Sequence, residues 1–496
     1  LFPANNFIST SASVVLRGTA SDALGVTSVQ LLVNSNHLTT VTGTISWSNT
    51  VSLLPGTNHV SVQCFNLSDL ASAPINLTII YVVTSPLTLQ TSGQGRITGE
   101  ANGALLDIGK NYTVTATPAA NFLFSNWTGS NFVVVGTNHV LSFVMATNLL
   151  LQANFVTNPF TGVAGAYHGL FYPTNSAITG QNSGFFTLTL SALQGSYTAA
   201  LSQGGRNFPF SGGFDLSGSS QATFNGPNKE PLTAALKLGL NPPDNQISGT
   251  ISATGWQAAM MADKAVFNGT TLKATNYAGR YTMVMPPGVG APQSSPGGYS
   301  VATINNSQAG LASLVGTLGD GTTINQLVPI SENGVIPVYV SLYTGQGALL
   351  GWLTFTNAPP QTVNGVLNWI KQSGINKPLY PGGFTNQSAV EGSGYQTGGL
   401  QLSNGTLTIS NPAQGINLVY NNVTVSENKL TYIPAGNPTN QLGATVNSTT
   451  GTMTLTFRPT GAKVSVTSQG VLLQSDTNAA GWFLGTNESG FFLLQP

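Results

Sequence analysis

Charge is what this chain has least of. Only 6% of its 496 residues are Asp, Glu, Lys or Arg, and 14 acidic and 14 basic side chains cancel to zero net charge. Soluble domains carry about 25%. Nucleic acids and anionic membrane surfaces are bound through basic patches, and nothing here could build one, which argues against both partners. The self-repulsion that keeps subunits apart is missing as well, so the composition favours association.

Cysteine is almost absent. Cys64 stands alone, so no disulfide can form within the chain. Its place in phase with Val60 and Val62 predicts a buried free thiol. Long apolar runs are absent too: Ile79-Ile80-Tyr81-Val82-Val83 is far short of the ~20 residues a membrane-spanning helix needs. No membrane insertion is expected. The chain begins at Leu1 without Met, from which we expect an exported protein whose leader was removed, placed outside the cell or on its surface.

The groups that carry chemistry are sparse. Carboxylates are scattered among turns such as Asp215-Leu216-Ser217-Gly218, and no two are paired in sequence as a glycosidase would need. There is no nucleophile elbow with a partner histidine, no phosphate loop and no dinucleotide fingerprint. His59 and His139 recur in Gly56-Thr57-Asn58-His59-Val60 and Gly136-Thr137-Asn138-His139-Val140. They fall in different segments with no Cys or carboxylate beside them, so metal binding is not expected. His168 reads as a rim histidine. The expectation is a non-enzymatic protein without catalytic residues, cofactor or metal.

What is present is Gly, Asn, Thr and Ser around 41% hydrophobic residues. That suits strands with uncharged outer faces, and alternating runs recur throughout. The stretch from Ala164 to Leu190 returns once. Gly165-Ala166-Tyr167 matches Gly279-Arg280-Tyr281, and Gly184-Phe185-Phe186-Thr187-Leu188-Thr189-Leu190 matches Gly298-Tyr299-Ser300-Val301-Ala302-Thr303-Ile304, both 114 residues on. Phe210 maps to Ile324 at the same spacing. This is a duplicated antiparallel meander, and closure into a barrel would remove its edges. Ser489-Gly490-Phe491-Phe492 repeats Ser183-Gly184-Phe185-Phe186, which suggests that the last strand lies beside an early one.

Expected strands in residues 1–83 are Ala12–Arg17, Val26–Val33, Thr44–Leu53, Asn58–Phe65 and Ile75–Val83. Gly18–Asn34, Trp47, Leu53–Val62 and Asn66–Ser72 resemble a bacterial Ig-like domain of secreted surface proteins. That resemblance implies a β-sandwich. It also implies that Asp22 and Asp69 could lie near calcium, although two carboxylates suit turn-capping better. The segment 84–157 resembles a divergent InlB B-repeat. The pattern runs from Thr115 through Phe122 or Phe124 to Trp127 and Gly129 and closes with Leu149–Phe155, implying a spacer or adhesive stalk. Residues 164–496 resemble C-terminal modules of large secreted bacterial proteins, from which no activity follows.

The expected architecture is therefore all-β: an Ig-like sandwich (1–83), a small β-repeat domain (84–157), and a duplicated meander or barrel region. The last has copies at 158–275 and 276–380 and a closing C-terminal domain at 381–496. The expected function is a structural protein that self-assembles into an extracellular filament or surface matrix. Its partner would be itself, through β-strand addition at an incomplete first strand. Donor segments would be Leu1, Phe2, Phe7 and Ile8, or Phe491, Phe492, Leu493 and Leu494. The alternative is a monomeric adhesin or carbohydrate-binding protein whose partners are extracellular glycans. Trp127, Trp256, Trp352 and Trp482 are then the aromatic platforms, with Trp369 a further aromatic.

Overall fold

The computed structural model describes the chain except for residues 36, 42–44, 242–243, 289–294, 376–378, 428 and 433–441. Thr44, the start of the strand expected at Thr44–Leu53, and Ile433, the end of a strand that alternation predicts at Lys429–Ile433, lie outside the described residues. The protein is all-β, with a few single-turn 3-10 segments and no α-helix among the described residues. It divides into two compact units, Leu1–Asn158 and Pro159–Pro496.

The first unit holds two modules. In the first, a five-stranded sheet runs in the order Phe7–Ser9, Ile75–Tyr81, Gly56–Asn66, Val26–Val33, His37–Val41, and a second sheet pairs Ser13–Thr19 with Ser46–Ser52. Alternation decides which side chains turn inward. Leu16, Trp47 and Val51 of the small sheet meet Val29, Leu31, Val60, Val62, Leu77 and Ile79 of the large one in a common core. Cys64 is half-buried at its margin rather than fully enclosed. It lies two residues from the end of its strand, where the core thins.

The second module builds its core from three small sheets around a fully buried Trp127, whose indole N–H donates to the Asn138 carbonyl at 3.1 Å. A parallel pairing of Leu150–Thr157 with Thr88–Ser92 joins the segment's two ends.

The second unit consists of three eight-stranded antiparallel sheets, each nearly closed. In the first, the strand Gly165–Tyr172 pairs with the next strand, Gly184–Leu190, and also with the last, Trp256–Lys264. The second sheet repeats this around Gly279–Met285, which pairs with Ser300–Asn306 and Phe384–Tyr395. The third does so around Leu400–Asn411, which pairs with Ile416–Glu427 and Ser489–Gln495. Side chains fill the interiors: Tyr167, Phe186 and Ile247 in the first, Tyr281, Phe355 and Trp369 in the second, Phe457, Phe483 and Phe492 in the third. These are packed cores, not hollow channels.

The expectation of two copies and a closing domain is thereby revised. The second circuit runs on through Thr362–Lys371 to Phe384–Tyr395, past the 380 boundary, and the remainder forms a third circuit of its own. Ser489–Gln495 does lie beside an early strand, but that strand is the first of its own circuit. Divergence hid the third copy, because closure asks only for alternation and length, and many residues satisfy both.

The ungapped spacing of 114 is also corrected. Tyr167 pairs with Leu188, whereas Tyr281 pairs with Ile304, so these equivalents lie 116 apart. The connection between the first two strands is two residues longer in the second copy. A slip of two leaves every side chain on its original face, which is why the pattern alone could not detect it. The Gly-x-Tyr motif itself has a plain cause. Tyr167 donates its hydroxyl to the Val163 carbonyl and Tyr281 to that of Tyr277, four residues back in each case. Each bond ties the incoming chain across the barrel base.

Among the described residues, one seam per barrel shows no backbone ladder. In the first it falls between Arg206–Gly213 and Ser219–Asn225. There Phe210 and Phe224 stack with centroids 4.2 Å apart and planes within 5°. In the second it falls between Thr323–Pro329 and Val335–Leu342, where the Gln326 side chain substitutes for the ladder. Its amide donates to the Pro337 carbonyl and its oxygen accepts the Tyr339 N–H at 2.9 Å. The pairings count Phe210 and Gln326 as equivalent positions, so one task is done by two chemistries.

A double-mutant cycle on Phe210→Ala and Phe224→Ala should return a coupling of about 1 kcal/mol in denaturant unfolding. Gln326→Leu should cost about 1–3 kcal/mol, because it leaves buried backbone groups unpaired.

Candidate functional site: the mouth of the first barrel

Closure of the first barrel gathers the turns of alternate hairpins at one mouth. Gln203 and Arg206 flank Gly204-Gly205, whose φ values of +55° and +74° are those a two-residue hairpin turn demands. The connection 226–230 and the turn Ala253–Trp256 stand at the same mouth, with Gly180 and Gln181 from the loop after the first strand. The second barrel contributes Thr344, Gly345, Gln346 and Gln372. Together they enclose a cleft of about 560 Å³.

Two glycines set its width. A Cβ on Gly345 would fall 2.4 Å from the Gly204 carbonyl oxygen, so the two turns touch backbone to backbone. The Gly204 N–H also donates to the Tyr339 hydroxyl of the second barrel at 3.1 Å. The cleft is therefore held by both barrels rather than by a loose loop.

Its lining is an aromatic surface with amides around it. Trp256 faces inward in phase with Ala258 and Met260, but at the open end it is only half-buried. Phe171, fully buried, stacks on it at 6.5 Å with planes 15° apart and fixes the indole. Gln203 is 3% exposed. Its amide nitrogen donates to the Gln181 carbonyl, and its Oε1 is buried without a hydrogen-bond partner. Arg206 and Glu230 bring one charge of each sign. A second cleft of about 470 Å³ shares Gly180, Gln181 and Gln372 and prolongs the first between the barrels.

The other sequence-derived candidates are dispersed. Trp127 and Trp369 are fully buried, and Trp482 is 8% exposed within the apolar contact of the second and third barrels, beside Val284, Val301 and Val471. None offers a face to a sugar. Trp352 lies half-buried on the second barrel's outer face, paired with Pro337 and Val366.

The terminal segments are engaged within their own sheets. Phe2 exchanges both backbone hydrogen bonds with Arg17, and Phe7 and Ile8 pair with Ile79 and Ile80. Leu1 is 46% exposed at the start. Phe491, Phe492, Leu493 and Leu494 belong to a strand bonded along both edges, with Phe492 and Leu494 in the core. Withdrawing that strand would open the third barrel, which argues against its donation. The sequence missed these pairings because strand edges are satisfied by residues far along the chain, as Phe7 by Ile79 and Leu494 by Leu407.

Among the described residues no three His, Cys, Asp or Glu side chains come together as a metal site would require. Asp22 accepts the Leu24 N–H at 2.9 Å in a turn, and Asp69 occupies a turn with φ +54°. Two sets of polar groups, one buried and one half-buried, stand out elsewhere. The Tyr343 hydroxyl donates to Asp320 Oδ2 at 2.6 Å and accepts the Trp369 indole N–H at 3.0 Å. Burial first, then the Asp320 charge, pushes its ionisation well above the usual range. His168 is not a solvated rim residue. Its ring lies 6.2 Å from Phe185, which stacks on Tyr339 of the second barrel, and burial holds its pKa below the ordinary value. Asp263 lies opposite it on the neighbouring strand; burial raises that carboxyl, and Gln246 donates to it.

Residues 85–159 match the divergent InlB B-repeat domain family. No curated protein sequence matches the chain. Among solved structures, similarity extends to a protein of unknown function from Nostoc punctiforme. It shares 14% identity over 48% of this chain and 98% of that one, with a TM-score of 0.18. The isotype 1 transferrin binding protein B of serogroup B Neisseria meningitidis shares 9% identity over 81% of this chain and 86% of that one, with a TM-score of 0.17. Neither likeness bears on function.

The pH dependence follows from His168. The folded chain prefers the neutral ring, so this contribution to stability is complete above about pH 6.5 and is lost as pH falls toward the depressed folded value. Asp263 acts oppositely: its raised pKa adds stability at low pH that is lost as pH rises through that value. In thermal unfolding between pH 7.5 and 5.0, His168→Gln should gain on the parent protein as pH drops below 6.5. A gap constant with pH would contradict the assignment.

Proposed function

We propose that this chain is a secreted, non-enzymatic structural protein of the bacterial surface that self-assembles into a filament or matrix by β-strand addition. The B-repeat match supports a place among surface-associated modules. Residues 1–83, with their Ig-like resemblance, add a second module of the kind that builds stalks. The second unit supplies stiffness. Its barrels are filled, and they join through dry contacts such as Ala348, Leu350 and Ile370 against Tyr172 and Ile178.

One observation carries the assembly reading. Val134–Gly136 forms an outer strand of its sheet, bonded among the described residues only to Phe122–Thr128. Phe132 is 81% exposed, and Val133, Val134 and Val135 are exposed beside it. From Ser130 to Val144 there is no Lys, Arg, Asp or Glu. Soluble proteins commonly guard such edges with charge or proline, and this one does neither. His37–Val41 is a second, different outer strand, with Leu38 exposed. Pairing between unlike edges is head-to-tail and gives open fibres. Terminal strands need not be donated, since these edges are already open.

Concentration series of the full chain in light scattering and electron microscopy should show ordered polymers. Val134→Lys combined with Val135→Lys should abolish them and leave a folded monomer. A parent protein that stays at 51.2 kDa at every concentration would refute the proposal. The adhesin reading has one specific feature in its favour, the cleft of the first barrel.

A further inference from the structure

The geometry points to a binding site for an uncharged oligosaccharide in the cleft at the mouth of the first barrel, independent of assembly. Three features converge there. The first is the platform. Sugars present C–H faces that pack on aromatic rings and hydroxyls that need partners on every edge, so their sites combine a flat ring with amides. Trp256 and Phe208 are half-buried aromatics of the cleft, and Phe171 stacks on the Trp256 indole from the barrel interior. Barrel mouths are common places for such sites.

The second is an unmet hydrogen bond. Gln203 is almost fully buried, its nitrogen is engaged by Gln181, and its Oε1 is buried with no partner. Leaving a buried acceptor unpaired is costly. The oxygen is closed to solvent in the unliganded chain, so a ligand hydroxyl recovers the loss only by shifting the Gln203 side chain toward the cleft, whereas an anionic group could not donate to it. The amides of Gln346 and Gln372 face the same space from the second barrel. They can donate and accept in turn, as a ring of hydroxyls requires.

The third is charge and length. Arg206 and Glu230 cancel, and no other charged side chain lines the cleft. A uronic acid or phosphorylated chain would gain no net attraction there. The adjoining cleft continues past Gly180 and Gln181, where the buried Lys371 ammonium is held by the Leu379 carbonyl and the Tyr343 ring, so the space is a groove suited to several linked sugars rather than a pocket for one. Because the groove is built jointly by two barrels whose turns touch at Gly204 and Gly345, it is preformed, and little ordering opposes binding.

The test uses the full chain at a dilution where scattering reports monomer, so that its outcome is separate from that of assembly. Cellohexaose, maltohexaose, laminarihexaose and mannohexaose are titrated by calorimetry and tryptophan fluorescence, with polygalacturonate as the anionic control. At least one neutral hexasaccharide should bind. Trp256→Ala should weaken it by about tenfold or more and Gln203→Leu by about fivefold or more. Trp256→Phe should retain most of the affinity, and Trp352→Ala, outside the cleft, should leave it unchanged. Unfolding curves confirm that each variant is folded. Absence of binding by all four, equal binding by Trp256→Ala, or preference for polygalacturonate would overturn the assignment.

Discussion

The second unit depends on one constraint, the return of each meander to its own first strand. Gly165–Tyr172, Gly279–Met285 and Leu400–Asn411 each carry hydrogen bonds along both edges, to the next strand and to the last. Closure satisfies the backbone without calling on charge. That is how a chain with 6% charged residues can expose so much sheet. Thr, Ser, Asn and Gln solvate the outer faces, and few charged side chains are needed to repel a second sheet edge. Where the chain does not close, in the small sheets of the first unit, the same composition leaves edges that nothing guards.

Closure also explains why the barrels pack so directly on one another. Outer faces without charge lose little on burial. Val284 and Val301 meet Val471, Leu473 and Trp482 between the second and third barrels, and Phe185 meets Tyr339 between the first and second. A few buried polar links fix the alignment. The Tyr380 hydroxyl accepts the Gly297 and Ser489 N–H groups and pairs with the Ser489 hydroxyl at 2.8 Å. Such a bond is satisfied in only one arrangement, so it selects register where apolar contact alone would tolerate sliding. The cleft at the first barrel's mouth is a by-product of the same docking, because Thr344, Gly345, Gln346 and Gln372 of the second barrel complete a lining that the first barrel supplies most of.

Much of this was legible in the residues. Alternation located most strands, the Gly-x-Tyr repeat marked two barrel starts, and Gly204-Gly205 marked a hairpin turn. Trp256 was already a candidate platform. Nothing in the sequence separated it from Trp127, Trp369 or Trp482, since all four lie on strands. Their fates diverge only with position along the barrel: Trp256 sits at an open end, and the others sit in cores or between barrels. Ser219–Asn225 is hard to recognise from sequence for a related reason. As a seam strand it is anchored by Phe224 on Phe210 rather than by a full apolar face.

The sequence by itself determined the all-β class, the repeat and the near absence of charge, because these follow from composition and a period of two that every local window displays. Tertiary structure alone decided how many circuits close, which strand seals each one, that both terminal segments are used within their own sheets, and which glutamine oxygen is left unpaired in a cleft. The reason is physical. Strand pairing joins residues up to a hundred or more positions apart, as Thr282 with Ser393 or Gly169 with Ala262. Backbone hydrogen bonds are indifferent to side-chain identity, so many sequences could make the same bond.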